Sequence, residues 1–275
     1  MAVQSKILEM RGNTLRFFLG GVDVAVANAL RRILIAEVPT MAIDDVVVIE
    51  NSSPMRDEMM AHRLGLIPLR TDLDSYVLPE DCDCQSEMGC NKCSVTLTLV
   101  AEAVDATRTV YSKELKSLDP DIVPVSMDIP ILKLARGQRV RIETYARLGR
   151  GRDHAKWQPV SACAYAYAST VSVDREKCES GERGIEACPQ HLLGEEGTRI
   201  VVIADTECDL CTKLLRQCPA SAVREEEHDD AFIFTVESTG AIPPTRAVFE
   251  AVKLLLGKVA AFSEQIGITA AGEVA

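Results

Sequence analysis

The chain has 275 residues, 47% hydrophobic but only 4% aromatic, enough for about two domains with aliphatic cores. Its 41 acidic residues outweigh 30 basic ones, for a net charge of −11, which argues against a nucleic-acid clamp acting by itself. No run approaches the ~18 uncharged apolar residues of a membrane span and MAVQSKILEMRGN lacks a secretory h-region, so a cytoplasmic protein without membrane contact is expected.

KILEMRGNTLRFFL is two apolar runs around Gly12-Asn13, a hairpin signal. A helix follows, capped by Asp23 and stopped by Pro39, with Val26, Leu30, Ile33 and Leu34 as its apolar stripe and Arg31 on another face. The β-branched run in IDDVVVIE predicts a strand. SPMRDEMMAHRLGLIPL predicts a short helix with Ser53 as cap and Pro54 in its first turn. From Ser94 to about Arg141 the pattern is strand-rich. RLGRGRDHAK, Arg147 to Lys156, is the best local basic stretch, and its Gly149-Arg150-Gly151 reads as a turn, because a lone G-x-G is a weak phosphate signal. Cys163, in SACAYAYAS, reads as a small buried apolar residue.

Glu225 to Asp230, EEEHDD, reads as a solvated linker. AFIFTVES then alternates Phe232, Phe234 and Val236 on one face of a half-buried strand. After Pro243-Pro244 comes a long helix whose Val248, Val252, Leu255, Val259, Phe262 and Ile266 step by 4, 3, 4, 3, 4, a heptad seam. Such a seam suits either packing on its own domain or a partner helix, and the partner is favoured because few elements remain to cover it. The four histidines lie in no nucleophile–base motif, and no aspartate cluster suits two-metal phosphoryl transfer. The chain is expected to have no active site of its own.

Nine of the ten cysteines fall into two groups. Cys82, Cys84, Cys90 and Cys93 read C-x-C-x5-C-x2-C, a spacing at which four thiolates can close a tetrahedral structural zinc site. The second group hides a repeat: Cys178 and Cys208 are 30 apart, as are Cys188 and Cys218, and the last two each precede proline. This is the dyad of a two-cluster ferredoxin, in which each Cys-Pro cysteine serves the other cluster. One ligand set, Cys188, Cys208 and Cys211, keeps three of four thiolates, with Leu214 at the fourth place. The other keeps only Cys178 and Cys218, with Gly181 and Gly184 at the missing places. At most one Fe-S cluster, three-iron or four-iron, is expected, at Cys188, Cys208 and Cys211, with Cys218 recruited if the loop shifts. The alternative is a domain that keeps its fold without iron.

NALRRILIAEVPTMAIDDVVVIENSSPMRDEMMAHRLGLIPL, Asn28 to Leu69, resembles the alpha-motif region of RNA polymerase assembly subunits. This family includes the alpha-like assembly subunits of archaeal RNA polymerase, the third-largest subunit of eukaryotic RNA polymerase II and, more distantly, the bacterial alpha subunit. CNKCSVTLTL, GRDHAKWQPV and the terminal strand and helix agree with it. The resemblance implies an α+β fold. A discontinuous alpha-like dimerisation domain would occupy 1–40 plus 230–275. A mixed α/β insert domain with the zinc loop at 82–93 would fill 41–170, and a small ferredoxin-like insert 171–225. It implies a heterodimer with the small subunit L, a platform for the large catalytic subunits aided by the small subunits N and P, and no direct nucleic-acid contact. Arg31 and Arg32 would face the polymerase core, and Val248, Val252, Leu255, Val259 and Phe262 would meet subunit L. Eukaryotic relatives carry a similar zinc loop, and archaeal ones often a ferredoxin-like domain. The competing reading is a ferredoxin-type electron carrier or redox-sensing module.

Overall fold

Gly12, at a φ of 56° that suits a residue without a Cβ, reverses the chain between β1 (Gln4–Arg11) and β2 (Thr14–Gly20). The computed structural model describes residues 2–84, 86, 88–174, 193–196, 199–203 and 223–266. The elements that follow are α1 (Val24–Ala36), β3 (Thr40–Asn51), α2 (Asp57–Gly65), β4 (Ser94–Glu102), β5 (Arg108–Tyr111), β6 (Leu115–Ser117), β7 (Pro130–Leu134) and β8 (Arg139–Gly149). After them come β9 (Val160–Asp174), β10 (Leu193–Glu196), β11 (Arg199–Ile203), β12 (Val223–Ser238) and α3 (Pro244–Gln265). The strands form sheets of order β1-β2-β12-β9-β11-β10, β3-β8-β4-β6 and β5-β7. The chain divides into two compact units, one of residues 1–9, 16–27 and 164–235, the other of 10–15, 28–163 and 236–275.

The larger unit is built on β3, β8, β4 and β6, all antiparallel. Alternation in β4 sends Val95, Leu97, Leu99 and Ala101 into a core with Ile142 and Val140 of β8 and Met41 and Ile43 of β3. Helix α2 closes this core with Met60 and Leu64, and its Arg63 donates to the carbonyls of Ile131 and Pro130 at 2.8 and 2.7 Å. Ser53 does not cap α2. Its N–H and hydroxyl both donate to Asn51 Oδ1, at 3.0 and 2.7 Å, and the helix starts four residues later. Asn51 therefore competes successfully for the capping side chain. Asp23 does cap α1, accepting from the Ala25 N–H at 2.6 Å. Of its expected stripe, Leu30, Ile33 and Leu34 are buried, but Val26 is exposed and Ala27 takes its place.

The smaller unit corrects two expectations. The acidic run Glu225 to Asp230 is no linker: it is the first half of β12, a strand that lies between β2 and β9. Neighbouring strands satisfy its backbone, and the Val22 N–H donates to the Asp230 carbonyl at 3.2 Å. The following AFIF is covered on both faces rather than half-buried. Phe17 stacks on Phe234 at 5.0 Å and Tyr165 meets Phe232 and Phe234 at 5.3 and 5.4 Å, while Ala231 and Ile233 pack with Ala168, Leu8 and Phe18. Phe234→Ala is expected to cost about 3–5 kcal/mol, as truncation of a fully buried aromatic does, read as a lower midpoint in chemical denaturation.

Of the segment 171–225, the described residues are strands: β11 pairs antiparallel with both β9 and β10, so β10 lies at the sheet edge rather than beside β9. The second cysteine group (Cys178, Cys188, Cys208, Cys211 and Cys218) and the positions Gly181, Gly184 and Leu214 lie outside the described residues.

Candidate metal centre and candidate interface helix

Cys82, Cys84, Cys90 and Cys93 converge, their sulfur atoms all within 4.8 Å of one another. Each is placed by a turn. Cys82 follows the short 3-10 turn Pro79–Asp81, its N–H on the Pro79 carbonyl at 3.3 Å. Cys90 and Cys93 close a tight turn in which the N–H groups of Cys93 and Ser94 donate to the Cys90 carbonyl at 2.9 and 2.8 Å. Cys93 immediately precedes β4, and the Val77 N–H donates to the Lys92 carbonyl at 3.0 Å. Gly89 sits at φ 78°, and a Cβ there would stand 2.6 Å from Ser94 Cβ and 3.1 Å from Cys93 Sγ. Only glycine lets the loop lie this close to the sulfurs.

The donor set fits zinc. Sulfurs about 2.3 Å from an ion at tetrahedral corners stand about 3.8 Å apart. The separations Cys82–Cys90, Cys84–Cys93 and Cys90–Cys93 are 3.7, 3.7 and 3.9 Å. The N–H groups of Cys90 and Lys92 donate to the sulfurs of Cys93 and Cys90, at 3.2 and 3.5 Å, the contacts that hold thiolate ligands in orientation. Four cysteines leave no coordination position for water, so the metal would brace the loop and perform no reaction.

Two of the thiols are pushed in opposite directions. Burial pushes Cys93 up to about 12. Cys90 is held down to about 7, chiefly by the Lys92 backbone N–H. A thiol must lose its proton to ligate, so zinc affinity rises with pH. Below about pH 7 Cys90 also carries a proton, so Kd is expected to fall with pH about tenfold more per unit there than above it. Chelator competition on either side of that pH reads the slope.

Helix α3 begins with Pro244 in its first turn, as expected. Pro244, Ala247, Glu250 and Ala251 are its buried side, and Glu250 is paired there with Arg246 at 2.9 Å. Beside it runs a largely apolar stripe. Val252, Val259, Phe262 and Ile266 are exposed and Val248 and Leu255 half-buried. Phe249 and Leu256, exposed by 62% and 64%, widen the stripe. The heptad seam passed over them, although seven residues separate them and each neighbours a seam residue. Arg31 is half-buried, donating from Nη2 to Asn28 Oδ1 at 2.9 Å, while Arg32 is exposed.

The basic stretch is neutralised by acids. Arg147 pairs with Asp45 at 2.6 Å and Lys156 with Asp44 at 2.7 Å, and Arg150 pairs with Glu80. Gly149 ends β8, and the turn from Arg150 and Gly151 follows it, closed by the Asp153 N–H on the Arg150 carbonyl at 2.9 Å. Cys163 is partly rather than fully buried; desolvation pushes its thiol up to about 11, opposed by the Arg31 charge. No helix among the described residues is long and apolar enough to cross a membrane.

Residues 16–259 match the family of the RNA polymerase Rpb3/Rpb11 dimerisation domain. The chain is 40% identical over 232 residues to DNA-directed RNA polymerase subunit Rpo3 of Methanosphaera stadtmanae, covering 83% of this chain and 85% of that one. It is 39% identical to the Rpo3 subunit of Thermococcus kodakarensis, over 96% of this chain and 98% of that one. It is 35% identical to the Rpo3 subunit of Methanosarcina acetivorans, over 94% and 96%. With a family match across most of its length and relatives aligned nearly end to end, the chain belongs to the Rpb3/Rpb11 dimerisation-domain family of RNA polymerase subunits.

Proposed function

We propose that the chain is a non-catalytic subunit of DNA-directed RNA polymerase that pairs with the small subunit L through α3. The observation that carries this reading is the apolar stripe left open along α3, in a family defined by a dimerisation domain. A helix with one side buried and an apolar, solvent-facing stripe beside it suits the docking of a second helix. The pair would serve as the platform on which the large catalytic subunits assemble, with subunits N and P, in the cytoplasm. Arg31 and Arg32 would face the large subunits, where guanidinium forks suit bidentate ion pairs.

The same reading divides the chain into a discontinuous dimerisation domain (1–40 and 230–275), an insert domain (41–170) with a structural zinc, and a ferredoxin-like insert (171–225). Cys188, Cys208 and Cys211 would hold its one Fe-S cluster, with Cys218 recruited if the loop shifts. A ferredoxin-type electron carrier draws on only that insert, whereas the family match runs through residues 16–259. Co-expression with a candidate subunit L tests the proposal. A 1:1 complex on light scattering, with zinc and iron measured on the same sample, is expected. A chain that stays monomeric beside a folded L would refute the pairing.

A further inference from the structure

We propose that the four-cysteine knuckle is also a site of reversible thiol oxidation with a fixed pairing, Cys82 with Cys90 and Cys84 with Cys93. Four cysteines allow three pairings. The two short separations of 3.7 Å are Cys82–Cys90 and Cys84–Cys93, which share no residue. Cys90–Cys93, at 3.9 Å, would leave Cys82 to close a ring with Cys84 across the single residue Asp83. Access is graded as well. Cys84 is exposed, Cys82 and Cys90 are partly covered, and Cys93 is buried beneath them. A small oxidant therefore meets Cys84 first, with Cys93 behind it as the resolving sulfur.

With hydrogen peroxide the chemistry balances. The Cys84 thiolate attacks one peroxide oxygen and the O–O bond breaks, giving a sulfenic acid and hydroxide. The Cys93 thiolate then attacks the sulfenic sulfur, so that the S–S bond forms and the S–O bond breaks, releasing a second hydroxide. Two protons taken from the buffer acid turn both hydroxides into water. Cys82 and Cys90 repeat the sequence. In total four thiolates lose four electrons to two peroxides, and a metal held by the thiolates is released as its divalent ion. The sulfurs have to close from 3.7 Å to about 2.05 Å, a movement that rotation of exposed Cys84 towards Cys93, and of the partly covered Cys82 and Cys90 towards each other, supplies. A dithiol reductant reverses both bonds.

The pairing rests on sulfur geometry; only the release step rests on the zinc reading. The test treats the purified full-length chain with hydrogen peroxide, reads zinc with a chromogenic chelator and maps the disulfides by non-reducing peptide mass spectrometry. Cleavage at Asp83, Glu87 and Lys92 places each of the four cysteines on its own peptide, apart from those of the other six. The expected result is loss of the zinc together with the Cys82–Cys90 and Cys84–Cys93 crosslinks, both reversed by dithiothreitol. In Cys84→Ser the Cys93 crosslink should disappear while Cys82–Cys90 still forms, whether or not that variant holds metal. Predominant Cys90–Cys93 or Cys82–Cys93 crosslinks, or thiols that stay reduced, would overturn the proposal. If the chain purifies without zinc yet forms the two expected pairs, the oxidation site stands and the zinc reading fails.

Discussion

Cys93→Ser is expected to lower zinc affinity by at least about 100-fold, the upper end of what removing even an outer-shell partner of a metal ligand costs. A serine hydroxyl stays protonated at neutral pH and cannot replace a thiolate, which leaves three sulfurs for a four-coordinate ion. Cys93 is 2% exposed and immediately precedes β4, so of the four candidate ligands it is the one that joins the loop to the sheet. The damage should stay local, because β4 is held independently by Leu97 and Leu99 in the core and by its register with β8. Hydrogen exchange should accelerate at the Val77 N–H, whose acceptor is the Lys92 carbonyl, and remain slow in the middle of β4. Unchanged zinc affinity in this variant would show that the four sulfurs are not the ligand set.

The second large effect is expected on α3. Phe262→Ala should weaken binding to subunit L by about 30-fold, which is about 2 kcal/mol, the scale of an aromatic anchor in an interface core. Val259→Glu should act at least as strongly, since it places an unpaired charge in an apolar seam. Neither should lower the thermal stability of the isolated chain, because the two side chains are 62% and 56% exposed. Ala251→Glu, on the fully buried side of the same helix, should instead destabilise the chain itself. Titration calorimetry and thermal scans separate these outcomes. Full-strength binding by Phe262→Ala and Val259→Glu together would remove α3 from the interface.

Features whose chemistry is local were legible in the sequence. Gly12-Asn13 makes its hairpin, Asp23 caps its helix, Pro243-Pro244 starts α3, and the C-x-C-x5-C-x2-C spacing brings four sulfurs together. Features that depend on neighbours were not. The acidic run of β12 has the composition of a solvated segment, and only pairing within the sheet makes it a strand. Strand β9 escaped notice because SACAYAYAS alternates small residues with tyrosines that find their phenylalanine partners only in β12. Ser53 was a plausible cap until Asn51 engaged it. On α3 a strict heptad count narrowed the apolar face to one seam, whereas the helix leaves Phe249 and Leu256 open beside it.

The placement of β2 beside β12 has a consequence for how the protein is made. About 200 residues separate Gly20 from Val223. At about 5–20 residues per second, β2, already able to pair with β1, waits roughly 10–40 s on the ribosome before β12 exists. The antiparallel sheet of β3, β8, β4 and β6 is complete once Gly149 has emerged, so it can close its core during that interval. Helix α3 comes last of the described elements. Vectorial synthesis thus withholds α3, the helix proposed to meet a partner, until the elements before it have emerged, and a truncated product lacking α3 would carry the sheet of β3, β8, β4 and β6 with no means of recruiting a partner through this helix.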